Sequence, residues 1–535
     1  MPTAAQIIAR RLYDQGCRYA FGMPGGEVLT MLDALREVGI EFVLVKHENA
    51  GGYMAEGIYH MTGAPAILLA TVGPGVANAV NTVANAEQDR VPLIFLTGCV
   101  DAAEALTYNH QIFDHVALMK PVTKGSFTVA DGNVDVLVDK ALAIALDGQP
   151  GPVHIDLPIA IAKKQYDVTT PVRRPFPSLV APAPGGDIEQ AKDWLRQAKK
   201  PLIIAGLDVL HQHAEDTVTA FARDFGIPVI TTYKAKGVLD ENDPLAMGGA
   251  GLSPVADEQF MKLVKNSDFI LLAGYDPIEM RAGWIQPWSN GQRVVEFSAV
   301  PNHHYVHTAS MSFVGDIGAG LTMLRDGAAP VASWPDGEPA KVRKALIDGY
   351  RLDEAWGPAA IVDVVRNVME PDGVATVDSG AHRILLSQAW KAPMPRRLLQ
   401  STGLCTMGIA LPLAIGAKLA APSRQVVSFS GDAGIEMVLN ELATARDKKT
   451  AIVAVVFVDE SLSLIELKQR NTQLPNVGVD FGATDFPAVA KALGGEGMFI
   501  EDRETLEREL KAAFARDCFT VLACRIDRRA YDGRL

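Results

Sequence analysis

Short runs in which almost every position is apolar alternate along this chain with longer stretches in which apolar residues return every three or four positions. The first pattern is that of parallel strands covered on both faces, the second that of helices with one buried stripe. Their alternation predicts an α/β fold of Rossmann-like, doubly wound parallel sheets. In the first third, strands are expected at 19–22, 41–48, the start of 66–78 and 91–98. Helices are expected at 4–15, over a segment carrying Val28, Leu29, Leu32 and Leu35, and through Met54, Ala55 and Glu56. The middle holds strand-like runs at 202–205, 229–232, 269–273 and 294–297. In the last third, helices are expected at 359–369 and 409–419, strands at 374–377, 426–430 and 451–458, and a helical pattern with Met437, Leu442 and Ala445.

Two breaks interrupt this alternation. The stretch 171–187 holds five prolines, and 326–342 carries Pro330, Pro335 and Pro339, so both read as extended linkers. Three domains follow: 1–170, 188–325 and 343–535. A chain of 535 residues is too long for one core, which agrees with that division.

Composition narrows the class. Apolar residues make up 48% and charged residues 21%, as in an ordinary soluble globular protein. The formal net charge of −13 argues against nucleic acid or an anionic membrane as partners, since both need a basic field. Five cysteines (Cys17, Cys99, Cys405, Cys518 and Cys524) are scattered with no C-x-x-C spacing, which suits a reducing cytoplasm. The first helix carries Arg10, Arg11 and Asp14, unlike the unbroken apolar core of a signal peptide. No apolar run reaches the roughly 18 residues of a membrane span.

Candidate chemistry gathers at the carboxyl ends of the expected strands, where open parallel sheets bind ligands. Strand 426–430 runs into Gly431, Asp432, Ala433 and Gly434, and strand 451–458 ends at Asp459, Glu460 and Ser461. Asp432 and Asp459, 27 residues apart, should lie side by side. Two carboxylates there suit magnesium, which commonly takes one or two carboxylates while phosphates and water complete its shell. A Gly-Asp turn that merely caps a helix is the alternative. Glu48, at the end of 41–48, either acts on a ligand or favours a helix start. Glycine-rich turns at 23–26 and 73–75 are weaker signals. No G-x-G-x-x-G follows the first strand of the central domain, so nothing in sequence argues for a dinucleotide there.

The turn at Gly431-Asp432-Ala433-Gly434, followed 27 residues after the Asp by Asp459, resembles the fingerprint of thiamine-diphosphate enzymes, with Ala433 in place of the usual second glycine. The segments 459–465, 479–482 and 274–279, together with His110-Gln111, resemble catabolic, FAD-independent acetolactate synthases, and they span nearly the whole chain. The resemblance implies a pyrimidine-binding domain, a central domain without flavin and a diphosphate-binding domain. Asp432, Asp459 and Ser461 then hold Mg2+. Gly380, His382, Gly431, Ala433 and Gly434 face the diphosphate, and Cys405, Met407 and Leu464 line the cofactor, with Met407 as the wedge that bends it. Glu48 shares a proton with the pyrimidine N1′, beside Pro24, Gly25, Thr71 and Asn78, while His110 and Gln111 orient a 2-keto acid.

The implied reaction is decarboxylation of a 2-keto acid, pyruvate first among them, and transfer of the remaining two-carbon unit to a second carbonyl. In such enzymes the two halves meet across a subunit boundary, which implies a homodimer or homotetramer. Glu27 stands where the flavin-free synthases carry Lys, Cys405 near a Gln and Leu462 near a Tyr, so the acceptor pocket departs from the pattern. A simple decarboxylase, a ligase for other substrates and a non-catalytic relative remain alternatives.

Overall fold

The computed structural model describes residues 1–167, 178–328 and 333–535. Among the described residues, eighteen strands form three six-stranded sheets, parallel throughout. The first sheet contains β1 (Tyr19–Met23), β2 (Glu41–Leu44), β3 (Ala66–Ala70), β4 (Leu93–Cys99), β5 (Gly125–Thr128) and β6 (Val153–Pro158). The second contains β7 (Pro201–Ala205), β8 (Val229–Thr232), β9 (Ala246–Ala250), β10 (Phe269–Ala273), β11 (Arg293–Ser298) and β12 (Met311–Val314). The third contains β13 (Val374–Val377), β14 (Leu398–Gln400), β15 (Val426–Gly431), β16 (Val453–Val458), β17 (Glu496–Ile500) and β18 (Thr520–Arg525).

The first and third sheets repeat one strand order, β2-β1-β3-β4-β6-β5 and β14-β13-β15-β16-β18-β17. The second runs β9-β8-β7-β10-β11-β12, the doubly wound Rossmann order. Each sheet therefore has a switch point where the winding reverses: β1/β3, β7/β10 and β13/β15. The central strands are largely buried because helices cover both faces; all six residues of β16 are apolar and buried.

Domains of one chain pack closely. The helix Glu48–Thr62 lies against the helix Ala410–Ala420, where glycine brings the backbones together. A Cβ on Gly416 would stand 2.0 Å from the Met54 carbonyl oxygen, and one on Gly57 2.4 Å from that of Leu413.

Several sequence expectations need correction. The strand expected at 41–48 ends at Leu44; His47 is the N-cap of the next helix, its Nδ1 accepting from the Asn49 N–H at 3.2 Å, and Glu48 opens that helix. The helix after Gly431 is two short pieces, Asp432–Glu436 and Glu441–Asp447. The break turns Met437 out to solvent and buries Ile435 and Val438 instead. The helix Leu29–Val38 buries Met31, Ala34 and Leu35, leaving Leu29 exposed. The expected linker 171–187 falls, up to residue 177, outside the described residues, and the helix Gly186–Gln197 begins within its last part. In the stretch 326–342, residues 329–332 lie outside the described residues, Trp334 is buried and the helix Glu338–Gly349 begins.

Candidate active site

At the β13/β15 switch point, three strand ends deliver the polar groups. Asp432 follows β15, and its Oδ2 accepts from the backbone N–H groups of Asp459 (3.1 Å) and Glu460 (2.7 Å), so the ends of β15 and β16 are fixed to one another. Its Oδ1 accepts from the Ala433 N–H at 2.9 Å. Asp459 accepts from the Ser461 N–H at 3.3 Å and from the Ser463 hydroxyl. Burial raises both carboxyls, Asp459 to about 7, and the Asp432 charge pushes Asp459 in the same direction. A divalent cation beside them would offset that penalty. The Ser461 hydroxyl donates to Asp480 at 3.2 Å, which fixes the side chain beyond the end of β16. Among the described residues no group of three or more His, Cys, Asp or Glu side chains is arranged as a metal site. Two carboxylates suit a magnesium ion whose remaining ligands come from a phosphate ligand and water.

These residues line a cavity of about 220 Å³, walled also by Gly380, His382, Cys405, Met407, Leu464 and Tyr531. Burial pushes the His382 imidazole down to about 3, so the ring is neutral. It stacks on Phe457 at 5.3 Å, and its Nε2 is buried with no hydrogen-bond partner. An orphaned ring nitrogen in a cavity whose wall includes Gly380, Gly431 and Gly434 fits a phosphate-bearing ligand. Gly434 is required by packing, because a Cβ there would stand 2.5 Å from Asp378 Oδ2. Ala433 is half-buried at the cavity wall.

The loop 402–408, which brings Cys405 and Met407 to the cavity, is pinned at both ends by buried carboxylates. Asp378 accepts from the Gly408 N–H with both oxygens (2.9 and 3.0 Å), and burial raises its carboxyl to about 7. At the other end Asp89, from the N-terminal domain, accepts from the N–H groups of Thr402 (3.1 Å) and Gly403 (3.0 Å). Asp89 also pairs with Lys234 of the central domain at 3.2 Å. Between these anchors Cys405 adopts a left-handed φ of +57° and receives an Arg383 N–H on its sulfur at 3.3 Å.

The corresponding switch point of the first sheet carries a second set. Glu48 is buried and accepts from Asn78 Nδ2 at 3.0 Å. Gly25 and Glu27 follow β1, and Thr71 follows β3, donating its hydroxyl to Glu27 Oε2 at 2.5 Å. The Gly73 turn, at φ +69°, is fixed by its N–H donating to His115 Nε2 (3.2 Å), and His115 Nδ1 donates to Asp156 (3.0 Å). The Gln111 backbone lies over this turn, since a Cβ on Gly73 would meet its carbonyl oxygen at 2.4 Å.

The two sets do not share a cavity. Every residue lining the C-terminal cavity belongs to 379–531, so Glu48, Pro24, Gly25, Thr71 and Asn78 form a separate half, and His110 and Gln111 lie on the surface. The cavity does unite Gly380, His382, Cys405, Met407, Gly431, Asp432, Ala433, Gly434, Asp459, Ser461 and Leu464. Sequence reasoning missed Tyr531, Asp89 and the role of Asp378. Asp378 could have been singled out as an acid at a strand end, whereas nothing local marks Tyr531, which returns from the far C-terminal segment.

At the β7/β10 switch point of the central sheet, side chains of the N-terminal domain bond the strand-end acids. Arg90 Nε pairs with Asp276 at 2.9 Å, and Gln149 Nε2 reaches Asp208 (3.1 Å) and Asp276 (3.3 Å). No helix among the described residues is long and apolar enough to cross a membrane.

The chain matches three families of domain: thiamine pyrophosphate enzyme, N-terminal TPP binding domain, over 2–118; the central domain over 188–324; and the C-terminal TPP binding domain over 378–524. It is 30% identical to the acetolactate synthase of Bacillus subtilis (strain 168), over 95% of this chain and 90% of that protein. It is also 30% identical to the catabolic acetolactate synthase of Raoultella terrigena, over 98% and 95%. The acetolactate synthase large subunit of Parasynechococcus marenigrum (strain WH8102) is similar at 30% identity, over 98% and 88%.

Proposed function

The chain belongs to the acetolactate synthase family of thiamine pyrophosphate enzymes, and on that premise we propose that it decarboxylates a 2-keto acid, pyruvate first, and joins the two-carbon remainder to a second carbonyl compound. The observation that carries this reading is the cavity in which Asp432 and Asp459 adjoin a neutral His382 with an unpaired Nε2. When bound, thiamine diphosphate supplies the electron sink that lets CO2 leave.

The residues divide the work. Asp432, Asp459 and Ser461 would hold Mg2+ against the diphosphate. Gly380, His382, Gly431, Ala433 and Gly434 hold the diphosphate itself, with His382 as a neutral hydrogen-bond partner. Met407, Cys405 and Leu464 would form the wall against the cofactor and exclude water. Glu48 holds the proton at the pyrimidine N1′, oriented by Asn78, and Pro24, Gly25 and Thr71 shape that half. His110 and Gln111 orient the keto acid.

Placement of the two halves supports a homodimer, or a tetramer made of dimers, with each site built from two copies. Exposed apolar side chains flank both: Met23, Leu29, Leu44, Leu106 and Phe113 around the Glu48 half, and Met437, Ile465, Leu474 and Val477 near the cavity. A flavin-free enzyme is supported by the central switch point, where Arg90 and Gln149 bond Asp276 and Asp208 at the strand ends to which a doubly wound sheet brings a nucleotide. The free cysteines suit a cytoplasmic setting.

The test is a product assay with Mg2+, thiamine diphosphate and pyruvate, following CO2 and C–C-bonded products together. CO2 with a ligated product supports the carboligase. CO2 with free acetaldehyde alone makes it a decarboxylase, and no CO2 overturns pyruvate as donor.

A further inference from the structure

Glu27 lies at the switch point of the first sheet in a setting shaped to hold it. Its stem packs against Gly98, the last residue but one of β4, since a Cβ there would stand 2.7 Å from Glu27 Cβ. Gly25 leaves room for its hydrogen bond with Thr71; a Cβ there would meet Thr71 Oγ1 at 2.0 Å and Glu27 Oε2 at 3.0 Å. Gly75 joins this pair to Glu48, because a Cβ on Gly75 would be 3.3 Å from both Thr71 Cγ2 and Glu48 Oε1. Two carboxylates, Glu27 and Glu48, thus flank Thr71 and Gly75 at one strand edge. Among the described residues neither forms an ion pair, and Glu27 makes no hydrogen bond besides that from Thr71.

We infer that Glu27, oriented by Thr71, selects the second carbonyl compound against a carboxylate, so that the acceptor is an uncharged aldehyde rather than a second 2-keto acid. This rests on the carboligase reading. A fixed, unpaired carboxylate raises the free energy of any anion brought beside it, and more so where water is excluded. Donor and acceptor feel that field differently. The donor's carboxylate leaves as CO2, so repulsion in the bound donor is relieved as the C–C bond breaks. An acceptor's carboxylate is kept in the product, and repulsion persists through formation of the new bond. The balanced reaction is pyruvate anion plus aldehyde plus one proton giving acyloin plus CO2. The new bond joins the two-carbon unit to the aldehyde carbon, and the aldehyde oxygen takes the proton.

The experiment supplies the holoenzyme with pyruvate and an equal concentration of 13C-labelled acetaldehyde, and measures CO2, labelled acetoin and acetolactate by NMR without acidification. The wild type is expected to form labelled acetoin over acetolactate by about tenfold or more, a factor equivalent to about 1.4 kcal/mol. Glu27→Gln and Glu27→Lys are expected to move the ratio toward acetolactate by about fivefold or more, and Thr71→Val to shift it in the same direction. The ratio is internal to each sample, so loss of overall activity in a variant does not obscure it. A wild type that forms acetolactate as readily as acetoin, or a ratio unmoved by both Glu27 variants, overturns the inference while leaving the carboligase intact. CO2 with neither product overturns the carboligase reading, and no CO2 from pyruvate overturns pyruvate as donor; either outcome removes the inference too.

Discussion

The Gly403 N–H donates to Asp89 Oδ1 at 3.0 Å, joining a residue of the C-terminal domain to one of the N-terminal domain beneath the loop that carries Cys405 and Met407. The same oxygen lies 3.2 Å from Lys234 Nζ of the central domain, so one buried carboxylate ties all three domains together. Asp89→Ala takes one of two carboxylate neighbours from a buried ammonium that keeps Glu56 at 3.8 Å, and leaves two backbone donors without their acceptor; it is expected to lower stability by about 2 kcal/mol or more. Asp89→Asn with Lys234→Met removes one charge of each sign and keeps an acceptor for the two N–H groups, and the Glu56 carboxyl, which burial already raises to about 8, can stay protonated, so part of that loss should return. Urea midpoints of the single and double variants measure the coupling; strict additivity would show that the two residues act separately.

Glu48→Gln keeps the size of the side chain and removes its capacity to hold and release a proton. Turnover is expected to fall by about a hundredfold or more, with cofactor affinity little changed. Single-turnover CO2 release with parallel binding titrations separates the two effects.

Two neighbouring small residues should respond oppositely. Gly434→Ala drives a Cβ to 2.5 Å from Asp378 Oδ2 and should abolish magnesium-dependent cofactor binding. Ala433→Gly removes only a methyl group and should cost no more than about 1 kcal/mol of stability. Calorimetric titration and thermal melts of both variants test the contrast.

Asp378 gives the apoprotein a pH dependence of definite sign. Burial raises its folded carboxyl from the usual 3.8 to about 7, so the folded state holds this proton more tightly than the unfolded chain. Stability from this group is full below about pH 4 and declines as pH rises through about 7, by an amount on the order of 4 kcal/mol at most. Asp378→Asn should flatten that part of the stability profile, measured by denaturant midpoints from pH 5 to 8.

His382→Ala should weaken cofactor binding about tenfold, the loss of one buried hydrogen bond, with a factor that stays constant from pH 5 to 8 because the imidazole is neutral throughout. Fluorescence titrations across that range check both the size and the flatness.

Much of this architecture was legible because parallel strands buried on both faces leave an unmistakable apolar signature. β8, β10 and β13 fall on the expected residues. β9, with sequence AMGGA, and the short edge strand β12 escaped notice, since glycine carries no β preference and an edge strand need not be apolar. The Asp432 and Asp459 pair was readable because both acids end neighbouring strands. Glu48 was readable both as a candidate acid and as a helix start; what sequence misplaced was the strand end, because β2 stops at Leu44 and His47 takes the cap. Tyr531 and Asp89 act through contacts that only the folded chain creates, and no spacing in sequence announces them.

The separation of Glu48 from the Asp432 cavity within one chain also bears on how defects combine. In the paired arrangement proposed above, each site borrows Glu48 from one copy and Asp432 from the other. A chain damaged at Glu48 and a chain damaged at Asp432 are each inert alone. Their hybrid has one doubly damaged site and one wholly intact, so two dead alleles expressed in the same cell would rescue each other.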